Sequence, residues 1–264
     1  MKKKYSPFSL EDTYQFPRII TAPIVKFLSW YFRRDIKVIY SEPLPDEPCI
    51  ICPNHAMEFG PIAMQSCHNH MRKSRMFTHA NMILARTIPK HAMKDIFPNK
   101  KGLSYAFFYT ISLLISPLMS GVIKCLEPIP VTHDAHLILT LKKASQTISE
   151  GKDVIIFPES NIQDMDKKYV NILQKGTPFI VRNIMRDTKI NPYVVPAYVC
   201  KSLKTVIYGT PFKLCQSDNF KNDVIEFNNK IATQIELLAS ALPLHKVTHY
   251  DNSPRVEIVD KNIK

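Results

Sequence analysis

Neither a P-loop nor a GxGxxG occurs anywhere in these 264 residues, and glycine itself occurs only six times. A nucleotide cofactor therefore has no phosphate cradle in the sequence. Also missing, behind the lysines of "MKKKYSPFSLEDTYQF", are the apolar core and small-residue cleavage site of a secretory signal, so export is not expected. Internal repeats and low-complexity segments are lacking too. Acidic side chains are in deficit: 23 Asp and Glu stand against 35 Lys and Arg, a formal charge of +12. That sign favours a polyanionic partner such as nucleic acid, acidic lipid or a phosphorylated substrate. Because the basic residues are dispersed and no recognition module is present, nucleic acid ranks last and is not expected as a partner.

Regular cysteine spacing is lacking as well. Cys49, Cys52, Cys67, Cys125, Cys200 and Cys215 form no framework, and several lie in apolar runs such as "PCIICP" and "AYVCK". They are expected to be reduced core thiols of a cytosolic protein. Cys49 and Cys52 enclose two isoleucines in a strand-like run, and no second pair sits at zinc spacing, so no metal site is expected. "CHNH" (67–70) and "HDAH" (133–136) lack a completing carboxylate or cysteine set and read as exposed helix histidines.

Apolar material is plentiful, at 45% of residues, enough for a sizeable core. Two stretches concern membranes. "FPRIITAPIVKFLSWYFRR" (16–34) sets Trp30, Tyr31 and Phe32 beside Arg33 and Arg34, the composition either of an interfacial helix on an anionic membrane or of an amphipathic helix on the core. "GLSYAFFYTISLLISPLMSGVI" (102–123) carries no charge and is long enough to span a bilayer. Its serines, tyrosines, Gly121 and Pro117 favour a buried or half-immersed pair of helices, split at Pro117.

Elsewhere short β-rich runs alternate with helical periodicity. Strands are expected at 35–40, 48–53, 75–80, 153–157, 192–199 and 204–209. Helices are expected near 57–71, 133–150 (with Thr132 or Asp134 as N-cap), 176–187 and along Val224, Phe227, Ile231, Ile235 and Leu238. This alternation predicts an α/β fold with a mostly parallel or mixed central sheet flanked by helices. Two parts are expected: residues 1–35 as a helical extension and possible membrane-interface anchor, and residues 36–264 as a single α/β domain.

Active residues of such sheets gather where strands end. "IICPNHAME" leaves one strand and puts His55 at a helix start; "VIIFPESN" leaves another and puts Glu159, Ser160 and Asn161 just past it. If the two strands are neighbours, a histidine and a carboxylate face one crevice.

"NHAMEFG", "LEPIPVTH", "FPESNI" and "YVVPAY" occur in that order, supported by "LQKGTPF" (173–179) and "VIYGTPF" (206–212). This ordered set resembles the glycerolipid acyltransferase family typified by 1-acyl-glycerol-3-phosphate acyltransferase, marked by NHxxxxD, G.I.VDR, FPEGTR and I/V-VP, over roughly residues 36–240. The resemblance implies a divergent member, an O-acyltransferase moving a fatty acyl group from acyl-CoA or an acyl carrier protein to a hydroxyl of a lysophospholipid or related lipid-like alcohol. It implies no cofactor beyond that donor, and a cytoplasmic protein peripherally associated with an anionic membrane.

In the family the histidine of NHxxxxD is the general base, here His55, and a neutral imidazole suits that task. The family's aspartate, which orients the base, falls on Gly60. Glu58 is the candidate replacement; its other reading is a charge that merely favours the helix N-terminus. The family arginines associated with the acceptor's phosphate fall on His133 and Ile162, so both guanidiniums are missing. Lys167, Lys168, Lys175 and Arg182 are alternative cations. Glu159, Ser160, Asn161 and His133 are assigned to acceptor binding, with loop ordering open for Glu159. A catalytically silent relative that binds lipid or a partner at the membrane surface is the competing reading.

Overall fold

The computed structural model describes residues 16–97, 99–131, 137–160, 162, 164, 166–215 and 217–249. In chain order the elements begin with α1 (Arg18–Arg34), β1 (Lys37–Tyr40), β2 (Cys49–Pro53), α2 (Phe59–Met71) and β3 (Ser74–His79). The short helices α3 (Ala80–Ile83) and α4 (Ile88–His91) follow, and α4 runs into a π-helical turn at Ala92–Ile96. Then come α5 (Gly102–Cys125), β4 (Ile129–Val131), α6 (Leu137–Ser149), β5 (Asp153–Ile155) and α7 (Gly176–Thr188). The last elements are β6 (Tyr193–Cys200), β7 (Thr205–Tyr208), β8 (Phe212–Lys213) and α8 (Phe220–Ser240).

The strands form one mixed sheet in the order β1-β7-β6-β2-β5-β3-β4, with β8 paired to β6 outside this path. From β6 to β4 all neighbours are parallel, whereas β7 and β8 run antiparallel to β6. The expected architecture is thus present. Its decisive pairing is β2 with β5, Ile50 opposite Val154 and Ile51 opposite Ile155, which brings their C-terminal exits side by side.

Strands that read as unbroken apolar runs are buried on both faces, as parallel strands between helical layers must be. Ile50, Cys52 and Val154 face a core completed by Ala144, Ile148, Val181, Ile184 and Ile231 of α6, α7 and α8. Cys49, Ile51 and Ile155 point the other way, toward Ala63 and Met64 of α2. Each such aliphatic side chain contributes about 1.5–3 kcal/mol on burial.

Three expectations need correcting. Residues 102–123 are one helix, not two, with Pro117 inside it. Proline removes the donor that would serve the carbonyl four residues back, and the hydroxyl of Ser116 takes that place, donating to Leu113 O at 2.9 Å. His68 is not an exposed helix histidine: it is fully buried, its Nε2 2.8 Å from Asp153 Oδ2 and its Nδ1 3.1 Å from the Tyr208 hydroxyl. Asp153 also accepts from Cys49 N at 2.6 Å and Arg72 Nη1 at 3.2 Å, so one carboxylate ties α2, β2 and β5 together. The cysteines are all free thiols, but Cys215 is exposed and Cys125 only half-buried, because each lies outside the sheet's apolar layers. The expected caps Thr132 and Asp134 lie outside the described residues.

The helix expected within residues 1–35 is seated on the body through its first turns, where Thr21 Oγ1 lies 2.8 Å from Cys125 Sγ. Gly121 of α5 permits this approach, since a Cβ there would lie 2.8 Å from both Phe16 O and Thr21 Cγ2.

Candidate active site

The β2 chain is steered out of the sheet by Asn54. Its buried amide is bound in both senses to the backbone of Val199, Nδ2 donating to the carbonyl at 3.2 Å and Oδ1 accepting the N–H at 2.6 Å. The next residue, His55, is followed by Ala56 and Met57 in left-handed conformations, φ 45° and 54°. Such backbone costs of order 1–3 kcal/mol per residue and persists only where its surroundings hold it. Here it delays the helix: α2 begins at Phe59, two residues later than its periodicity suggests.

What holds the turn is Glu159. This carboxylate is 3% exposed, and it accepts the His55 backbone N–H on Oε2 at 2.5 Å and the Asn171 N–H on Oε1 at 2.7 Å. The loop after β5 is itself pinned to the segment that follows: Gln174 N donates to Pro158 O at 2.7 Å, Ser160 N to Ile172 O at 2.9 Å, and Gln174 Nε2 to Glu159 O at 3.1 Å. Of the two readings of Glu159, these bonds describe loop ordering. Ser160 presents its hydroxyl to Ile162 N at 3.2 Å.

The His55 imidazole lies beside the Phe157 ring, centroids 4.9 Å apart. Burial pushes its pKa down to about 4, against a hydrogen bond with the Met57 backbone and the charge of Glu58, which both act upward. The ring is accordingly neutral at neutral pH. Glu58 occupies the exposed N-cap position of α2, from which its charge acts on His55.

Gly60 is fixed by sterics. A Cβ at this position would overlap His55 O and lie 2.7 Å from the His55 carbonyl carbon. A side chain at this position is therefore incompatible with this turn; the aspartate of the NHxxxxD pattern is excluded by the backbone that shapes the His55 loop.

His55, Glu58, Glu159 and Ser160 thus meet at the exits of β2 and β5, while Asn161 and His133 lie outside the described residues. Ile162, where the second guanidinium of the motif would stand, is exposed. Asn54, Phe157, Asn171 and Gln174 were not singled out from sequence. Asn54, Phe157 and Gln174 lie inside the motifs at the strand exits and nearby, but nothing in the chain order announces which distant groups they touch. His79 and His91, also unremarked, lie with near-parallel rings 5.9 Å apart at the exit of β3.

No family model and no curated protein matches the sequence. Among solved structures the chain is similar to the 1-acyl-sn-glycerophosphate (LPA) acyltransferase PlsC from Thermotoga maritima, with a TM-score of 0.47 and 12% identity over 90% of this chain and 87% of that one.

Proposed function

We propose that this protein is an O-acyltransferase that moves a fatty acyl group from a thioester of coenzyme A or an acyl carrier protein to the hydroxyl of a lysophospholipid or related lipid-like alcohol, at a membrane surface. The observation that carries this reading is the Glu159 bridge. It joins the turn bearing His55 to the loop after β5, so the two motifs of the resemblance lie side by side at neighbouring strand exits.

In this mechanism the neutral His55 imidazole takes the proton of the acceptor hydroxyl as its oxygen attacks the thioester carbonyl. The tetrahedral intermediate collapses, the carbon–sulfur bond breaks, and the imidazolium returns the proton to the leaving thiolate. Glu58 stabilises the transient imidazolium by charge, and Glu159 acts as a positioning residue through the backbone. With Ile162 in place of a guanidinium, the acceptor is held mainly by its apolar part, which favours alcohols beyond phosphorylated ones.

The silent lipid-binding relative draws support from Gly60, whose position cannot carry the usual acid. Thioester consumption by the purified protein, measured with a panel of phosphorylated and unphosphorylated lipid alcohols, separates the two. Turnover that disappears in His55→Ala supports the enzyme; no turnover with any acceptor supports the silent relative.

A further inference from the structure

Helix α5 is inside out for a helix in water. Three of its four serines face the protein, Ser112 at 4%, Ser116 at 3% and Ser120 at 0% exposure, while Leu103, Phe107 and Leu114 point outward at 91%, 60% and 73%. A helix solvated by water buries its leucines and exposes its serines. The reverse order suits a helix whose small residues meet protein and whose large apolar residues meet hydrocarbon. Ser120 Oγ donates to Ile83 O at 2.6 Å, so the serine stripe is bonded to α3 at its C-terminal end.

At 24 residues the helix is long enough to cross a bilayer. Its surroundings argue against crossing. β4 pairs only with the last three residues of β3, Phe77 opposite Ile129 and His79 opposite Val131, so the crossover segment leaves the sheet at His79 and re-enters it beside Phe77, close to where it left. That segment folds as a hairpin: Ile83 lies beside Ser120 near the base, and Phe97 stacks on Phe108 farther out, centroids 4.6 Å apart. The leg opposite α5 carries Arg86, Lys90 and Lys94. A two-legged crossing would take these charges into hydrocarbon, at about 2.5–3.5 kcal/mol or more each. An in-plane placement avoids that cost. It also sets Lys100, Lys101 and Lys124, at the two ends of α5, at the level of anionic headgroups.

We infer that α5 lies in the plane of one leaflet of an anionic bilayer, its Leu103, Phe107 and Leu114 face among the acyl chains, and does not cross. The inference stands apart from whether His55 turns over a thioester.

The test uses the full chain with Trp30→Phe, which removes the single native tryptophan, and one new tryptophan at a time, Leu103→Trp or Leu114→Trp. Both positions are exposed, so folding is not at stake. Phosphatidylcholine–phosphatidylglycerol vesicles carry bromine at known acyl depths. Equal, shallow quenching at the two positions is expected. Quenching at the bilayer centre for position 114 and near the surface for position 103 would show a crossing helix and overturn the inference. No quenching at either would place α5 off the membrane, against another protein surface, and overturn it equally. In parallel, the double substitution Leu103→Glu with Leu114→Glu should weaken vesicle partitioning at least tenfold, and unchanged partitioning would also overturn it.

Discussion

His55 is a histidine held by its backbone as much as by its ring. Replacing it with alanine removes the proposed base and should lower thioester turnover by ~10²–10⁴-fold without unfolding the protein, as stopped-time assays and circular dichroism would show. Glu159→Gln turns one of two accepting oxygens into a donor that faces a backbone N–H. A buried donor left unmatched costs about 1–3 kcal/mol, so both the melting temperature and kcat should fall, whereas a residue that only binds the acceptor would mainly raise KM. Gly60→Asp, which would complete the NHxxxxD pattern on paper, should abolish activity rather than improve it, because its Cβ displaces the His55 carbonyl. The pH response follows from burial. In the unfolded chain His55 accepts its proton near the ordinary histidine value, in the folded chain only near about 4. Its contribution to stability is therefore fully present above the ordinary value, is lost as pH falls toward about 4, and is constant below. Thermal melts of wild type and His55→Gln should show wild type losing melting temperature relative to the variant as pH falls across that window.

Elements depend on contacts that periodicity does not report. Apolar spacing made α6, α7 and α8 legible, because one face of each buries against the sheet and repeats every three or four residues. The same logic put a break at Pro117, yet the helix continues, since Ser116 supplies the missing donor to Leu113 O. At the other end of the sheet from His55, Asp153 joins α2 to β2 and β5 through His68, Cys49 and Arg72. Asp153→Ala would leave these buried partners uncompensated, and breaking such a pair costs about 3–5 kcal/mol. A midpoint shift in urea, with thioester turnover preserved at low denaturant, would mark that role as structural.

For the whole molecule, the proposed membrane placement of α5 gives the charge of +12 and the outward apolar side chains on α1 and α5 two separate roles, electrostatic and hydrophobic, in holding an anionic bilayer. Salt screens the first, the Debye length falling from about 10 Å at 0.1 M to about 3 Å at 1 M, and leaves the second. Retention on phosphatidylglycerol vesicles should therefore drop with salt to a plateau above zero, measurable by flotation. The sequence by itself determined the α/β alternation and the strands buried on both faces, because hydrophobic patterning is a local record of burial. It also determined the pair of strand exits bearing His55 and Glu159, because strand ends are marked by proline and polar residues next to apolar runs. Only the tertiary structure decided what those residues do to each other. The Glu159 bond to the His55 backbone joins residues 104 apart in the chain, the exclusion of a side chain at Gly60 depends on a left-handed turn at Ala56 and Met57, and the outward face of α5 depends on which side its serines meet. Each is a matter of long-range packing and backbone path, to which neither composition nor periodicity is sensitive.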